Sequence, residues 1–154
     1  MKVLGSVAKI TITKMKGNGM IMETALLCLA LNIYHEARGE MIPGQYAVAQ
    51  VTLNRAGSKE NVCKTVTAKR QFSWTAKMVK EQGGRFYVKQ NGVPTDDYAW
   101  FKAKRIAEVV LNHRISDFTK GNATHYHTVD VKPIWRRDLK KTVALGRHIF
   151  YRHA

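Results

Sequence analysis

A carboxyl group at the end of an apolar helix can hold its proton at neutral pH, and Glu36, in the run Tyr34-His35-Glu36-Ala37-Arg38-Gly39-Glu40, is placed for this. The carbonyl end of a helix macrodipole disfavours negative charge by roughly 0.3–1 kcal/mol, more where the group is partly buried. A carboxyl that keeps its proton can serve as a general acid. Glu40 follows one helical turn later, and on an unbroken helix the two side chains would share a face, about 5–6 Å apart at Cβ. Paired acids at fixed separation suit cleavage of a glycosidic bond, which makes Glu40 a candidate second acid, as base or nucleophile. The competing expectation is that Gly39 breaks the helix and Glu40 pairs with Arg38 or caps the helix that begins at Gly44.

Rings and amides supply the rest of the chemistry. Trp74, Tyr126 and Trp135 fall among Gln71, Ser73, Thr124 and His125, away from any helical core stripe. Sugars present apolar CH faces and hydroxyl edges, so flat rings beside hydrogen-bonding side chains suit a glycan groove. Gln71, Ser73, Trp74, His125, Tyr126 and Trp135 are therefore the candidate substrate-binding residues. Lysines interleaved with aromatics could also stack nucleobases. His125 and His127 on one strand would face the same side, with His113 nearby in sequence, but the spacing is not that of the two-histidine zinc helix. The expectation is cleft lining, with neither metal nor cofactor.

These groups need elements to position them. Ala25, Leu26, Leu29 and Ile33 form an apolar stripe that predicts a helix from about 21 to 38, stopped by Gly39, with Glu36 in its last turn. Pro43-Gly44 opens a second helix to about Arg55, and the two make a helical hairpin with the acidic corner at its turn. Thr95 is the expected N-cap of a third helix, whose buried stripe is Ala99, Ala103, Ile106 and Val110. Residues 61 to 94 show no long period and predict loops and short helices. Ala123 to Val129 and Arg147 to Arg152 alternate as strands do. Residues 1–19 form a basic arm or edge strand, with weak alternation in Val7 to Ile12. The fold class is α+β: one helix-dominated domain, residues 20–154, with a small late antiparallel sheet.

The chain has 154 residues and a formal charge of +15. Residues 61–120 hold twelve basic and five acidic residues, whereas 21–60 hold three and four, so the surroundings of Glu36 are the least cationic part. Such a field favours a polyanionic partner, whether nucleic acid, an anionic membrane face or a cell-envelope polymer. Cys28 and Cys63 are too few for a disulfide framework, and Cys28 reads as a small buried hydrophobe. The longest apolar run, Thr24 to Tyr34, falls short of the roughly 20 residues that cross a bilayer. Lys9, Lys14 and Lys16 interrupt the N-terminal segment, and no signal-peptidase site follows.

Several blocks resemble the SleB/CwlJ-type cell-wall hydrolases, a family of spore-cortex lytic enzymes and phage lysis proteins. They are the run from Tyr34 to Glu40, then Gly44-Gln45-Tyr46-Ala47-Val48-Ala49-Gln50-Val51-Thr52-Leu53-Asn54-Arg55, Gln71-Phe72-Ser73-Trp74, Ala123-Thr124-His125-Tyr126-His127, Trp135, and Gly146 to Tyr151. The resemblance implies a lysozyme-like fold with Glu36 catalytic. It also implies cleavage of the MurNAc–GlcNAc linkage of peptidoglycan, as a lytic transglycosylase or muramidase. With no signal segment and a high positive charge, the expected setting is a phage endolysin, a monomer held in the host cytoplasm until release and then bound to glycan strands and the anionic envelope. No nucleic-acid partner is expected. The alternatives are a zinc-dependent N-acetylmuramoyl-L-alanine amidase and a non-catalytic basic protein that binds nucleic acid or the envelope.

Overall fold

The computed structural model of the chain describes Lys14, Met15 and residues 19–154, so the strand expected over Val7 to Ile12 lies outside the described residues. Two short strands, β1 (Lys14–Met15) and β2 (Gly19–Ile21), precede the helical hairpin α1 (Ala25–Ala37) and α2 (Ile42–Ala56). Next come α3 (Val62–Thr67), α4 (Ser73–Met78) and the strands β3 (Val79–Gln82) and β4 (Arg85–Val88). The long helix α5 (Asp97–Asn112) then leads to β5 (His125–Thr128), β6 (Lys140–Leu145) and β7 (His148–Arg152).

Helix α1 is the hub. Its residues from Leu27 to Tyr34 are all buried, and α2, α3 and α5 pack around it. A helix apolar on every side belongs inside a domain. Thr24 caps it, its hydroxyl accepting from Leu27 N at 3.1 Å. The one polar side chain in that run, Asn32, is fully buried and satisfied: it donates to Thr52 Oγ1 at 3.0 Å and accepts from Trp74 Nε1 at 2.8 Å. No helix among the described residues is long and apolar enough to cross a membrane.

Two antiparallel sheets flank this bundle, ordered β1-β2-β4-β3 and β5-β7-β6. The late sheet is the expected one, with β6 added between the two predicted strands in sequence. Ala123, just before β5, and Phe150, within β7, pack with Ala47, Val48 and Val51 of α2 and with Ala37 of α1 in a second, smaller core. That packing brings β5 to the end of α1.

Three expectations need correction. The segment 61–94 contains the β3–β4 hairpin, in which Gly83 and Gly84 both take positive φ (60° and 76°), as a two-residue hairpin turn requires. Asp96, not Thr95, caps α5, its Oδ1 accepting from Ala99 N at 2.9 Å. Cys28 is buried as expected but is not a free thiol: it forms a disulfide with Cys63, Cα to Cα 5.2 Å, which fastens α1 to α3. Nothing in their 35-residue separation announced that these helices would meet.

Candidate active site

Glu36 sits in the last turn of α1, half-buried, and Tyr126 Oη donates a hydrogen bond to its Oε1 at 2.9 Å. Tyr126 is fixed by strand pairing with Phe150 and by ring contacts with Phe150 and His148. Burial raises the Glu36 pKa above the usual carboxylate value, against the opposing pull of the Tyr126 hydrogen bond and the Arg55 charge. Desolvation leads here, where the helix dipole was the expected cause. Tyr126 is half-buried as a residue, and burial, then the neighbouring Glu36 charge, push its phenol well above the ordinary pKa. Tyr126 therefore keeps its proton and gives it to Oε1 as a hydrogen bond, which leaves Oε2 to carry the exchangeable proton of the acid.

Arg55, in the last turn of α2, donates Nε–H to the Thr124 carbonyl and lies over the Phe72 ring, 5.2 Å from its centroid. With Tyr126 it forms one wall of a cavity of about 690 Å³, whose other walls include Arg70, Gln71, His125 and Trp135. The rings of His125 and Trp135 meet at 5.0 Å, and Trp135 also packs edge-on against Tyr151. The approach to β5 is fixed by a loop in which Asp117 accepts from the backbone N–H groups of Thr119, Gly121 and Asn122. Thr119 Oγ1 in turn accepts from Ala123 N at 2.9 Å. The result is a polar cleft beside a carboxyl disposed to stay protonated, suited to giving a proton to a bound leaving group.

A family profile described as cell wall hydrolase matches residues 39–151, beginning just past Glu36. The chain belongs to the cell wall hydrolase family. The fold of this hydrolase is similar to the catalytic domain of the germination-specific lytic transglycosylase SleB from Bacillus anthracis. The TM-score is 0.62 at 26% identity, covering 85% of this chain and 96% of that one. For the catalytic domain of Bacillus cereus SleB the TM-score is 0.59 at 27% identity, covering 83% and 89%. No curated protein matches the chain.

Of the substrate-binding candidates in this hydrolase, Gln71, His125, Tyr126 and Trp135 line this cavity, and Glu36 meets it through Tyr126 and Arg55. Trp74 does not. It is 6% exposed, donates to Asn32 and stacks on His35 at 4.4 Å, on the wall of a different cavity of about 340 Å³ shared with Tyr34 and Arg38. Ser73 opens α4, is exposed and does not line the cavity either.

Glu40 is engaged elsewhere, and neither with Arg38 nor as a helix cap. Its Oε1 accepts from Arg147 N at 3.1 Å and lies 3.1 Å from His148 Nδ1, in ion-pair range but off the hydrogen-bonding angle. Gly146 makes room: a Cβ there would come 2.6 Å from Glu40 Oε2. His127 uses both ring nitrogens, with Tyr151 Oη at 2.8 Å and the Thr128 carbonyl at 2.7 Å. His113 caps the end of α5. Among the described residues no group of three or more His, Cys, Asp or Glu could hold a metal ion. Arg55 and Arg70 were not singled out as site residues. Arg55 stands within a helix-end block that reads as ordinary amphipathic sequence, and no pattern marks Arg70.

Proposed function

We propose that this protein is a peptidoglycan lytic transglycosylase in which Glu36 is both general acid and general base. The reading rests on the half-buried Glu36 carboxyl, its pKa raised by burial, held by Tyr126 beside a polar cleft. The SleB catalytic domains, one described as a lytic transglycosylase, support it. Glu36 gives its proton to the oxygen joining MurNAc to GlcNAc, and the C1–O bond breaks. The resulting carboxylate is stabilised by the Tyr126 donor and the Arg55 charge. It then takes the proton of the muramic acid 6-hydroxyl, whose oxygen bonds to C1 and closes a 1,6-anhydro ring. Water is not consumed, so one carboxyl suffices and Glu40 is free to serve the fold.

Mass analysis of digested peptidoglycan tests this: anhydromuramic ends are expected. Reducing muramic acid would indicate a muramidase, and free stem peptides an amidase. Glu36→Gln should abolish turnover, by at least about 10²-fold, with the fold intact; wall clearing at the native rate would overturn the mechanism.

The setting we propose is that of a monomeric phage endolysin, accumulated in the host cytoplasm and active on the wall after release. The charge of +15 would hold it on an anionic envelope. Disulfides persist in oxidising compartments, so the Cys28–Cys63 bond suits the envelope, and both thiols are expected free before release. Thiol labelling of protein taken from intact and from lysing cells checks this.

A further inference from the structure

The cavity walled by Tyr126 and Arg55, the two groups that bear on Glu36, has permanent charge of one sign in its lining. Arg55, Arg70, His125 and His153 line it, and no aspartate or glutamate does. A cation beside a general acid works against it, because it favours the deprotonated form, and Arg55 does pull the Glu36 pKa down. Proton donation alone therefore gives no reason for this lining. The guanidinium groups also keep hydrogen-bonding capacity in reserve. Arg55 is tied to the protein through Nε and its stack on Phe72, and its two Nη groups have no hydrogen-bond partner among the described residues. Arg70 has no hydrogen bond or ion pair with the described residues.

The backbone at Arg70 adds an independent observation. Its φ is +64°, in the left-handed region that strains a residue with a Cβ and suits glycine. The turn is held by Gln71 N donating to the Ala68 carbonyl at 3.3 Å, directly before Phe72, the ring that carries Arg55. A charged side chain is thus kept in a strained conformation on the rim of the cavity that Arg55 and Tyr126 wall.

We propose that this cavity receives a carboxylate hung from muramic acid, held by the Arg70 and Arg55 guanidinium groups. The proposal rests on the peptidoglycan reading of the site. The sugar backbone of a glycan strand is uncharged, so the anions available beside the scissile bond are the carboxylates of the stem peptide or, where the stem has been removed, the lactyl carboxylate itself. Planar guanidinium forks bind carboxylates through two parallel N–H···O bonds.

Calorimetry with the inert Glu36→Gln protein tests the proposal on three forms of one glycan strand: stems intact, stem carboxylates converted to amides, and stems removed by an amidase. The intact strand should bind roughly tenfold or more tightly than the amidated one, the worth of a charge-assisted hydrogen bond. Adding Arg70→Gly should erase that difference while the thermal midpoint stays in place, because glycine relieves the strained backbone. Stripped strands carry the lactyl carboxylate, which amide linkage masks in the other two: binding as tight as the intact strand means that it can take the place of the stem carboxylate, weaker binding that the site is set for the stem alone. Equal binding of intact and amidated strands, or an equal loss on all three with Arg70→Gly, would overturn the proposal. If the wild-type enzyme cuts none of the strands while the binding order holds, the glycosidic reading fails and the anion site stands.

Discussion

Tyr126 Oη and Glu36 Oε1 are joined by a 2.9 Å hydrogen bond across 90 positions of sequence. A bond donated to the carboxylate favours its charged form, so Tyr126→Phe should raise the Glu36 pKa further. The first step needs the protonated acid. The alkaline limb of the kcat/KM profile should therefore move to higher pH, while the plateau falls roughly tenfold or more as the carboxyl loses its orientation. A limb that stays put would show that the hydroxyl does not tune the acid.

The raised pKa of Glu36 has a cost in stability. A group whose folded pKa lies above its unfolded value adds stability below the unfolded pKa, and that contribution is lost as pH rises through the folded one. Glu36→Gln carries no charge at any pH. It should melt above wild type at neutral and alkaline pH, and the gap should narrow as pH falls through the raised folded pKa and close by the usual value of 4.5. Midpoints that differ equally at every pH would contradict this.

Reduction of Cys28–Cys63 releases a loop closed across 35 positions. Loop-closure entropy for that length corresponds to about 3–4 kcal/mol, or roughly 10 °C in Tm for a domain of this size. Thermal melts with and without reductant, and of the Cys28→Ser/Cys63→Ser protein, should agree on the loss. An unchanged midpoint would mean that the helices hold together without the bond.

Glu40 anchors the β6–β7 turn through Arg147 N and His148. Glu40→Gln should lower Tm by a few degrees, about 1–2 kcal/mol, with activity falling only as the folded fraction does. Loss of turnover at an unchanged midpoint would instead make it the second acid.

Asp117 organises the loop leading into β5. Burial pushes its pKa up, but hydrogen bonds from the Thr119 hydroxyl and the Asn122, Gly121 and Thr119 N–H groups outweigh it and hold the pKa below the usual 3.8. A depressed folded pKa adds stability above the unfolded value, and that stability is lost as pH falls through the folded one. Asp117→Asn should therefore destabilise the protein at pH 7 and flatten its acid melting curve below pH 4, about the unfolded pKa. A variant whose acid transition matches wild type would assign the loop to other contacts.

Periodicity made the long helices legible. The apolar run before Glu36, the Pro43-Gly44 start of α2 and the stripe of α5 each carry their own local signal, as do the alternating residues of β5 and β7. The helix-dominated α+β class followed from these. Less legible were features made by partners distant in sequence. β2 is a strand because β4 pairs with it, the two cysteines bond because α1 and α3 pack, and Trp74 is buried because Asn32 needs a donor. The Gly83-Gly84 turn was a readable hairpin signal, masked by the irregular sequence around it. At the site, the position of Glu36 in a helix end was local information. The cationic lining was not, since Arg55, Arg70 and His125 come together only through tertiary packing.

Among the described residues the strand holding Tyr126 pairs with β7 alone, and the clasp on Glu40 is formed by the turn that introduces β7. A nascent chain still on the ribosome thus carries its acid for 90 positions before the phenol that orients it is made, and longer before the strand that seats that phenol. Competence arrives with the final hairpin, so partial translation products should be harmless to the cell that makes them.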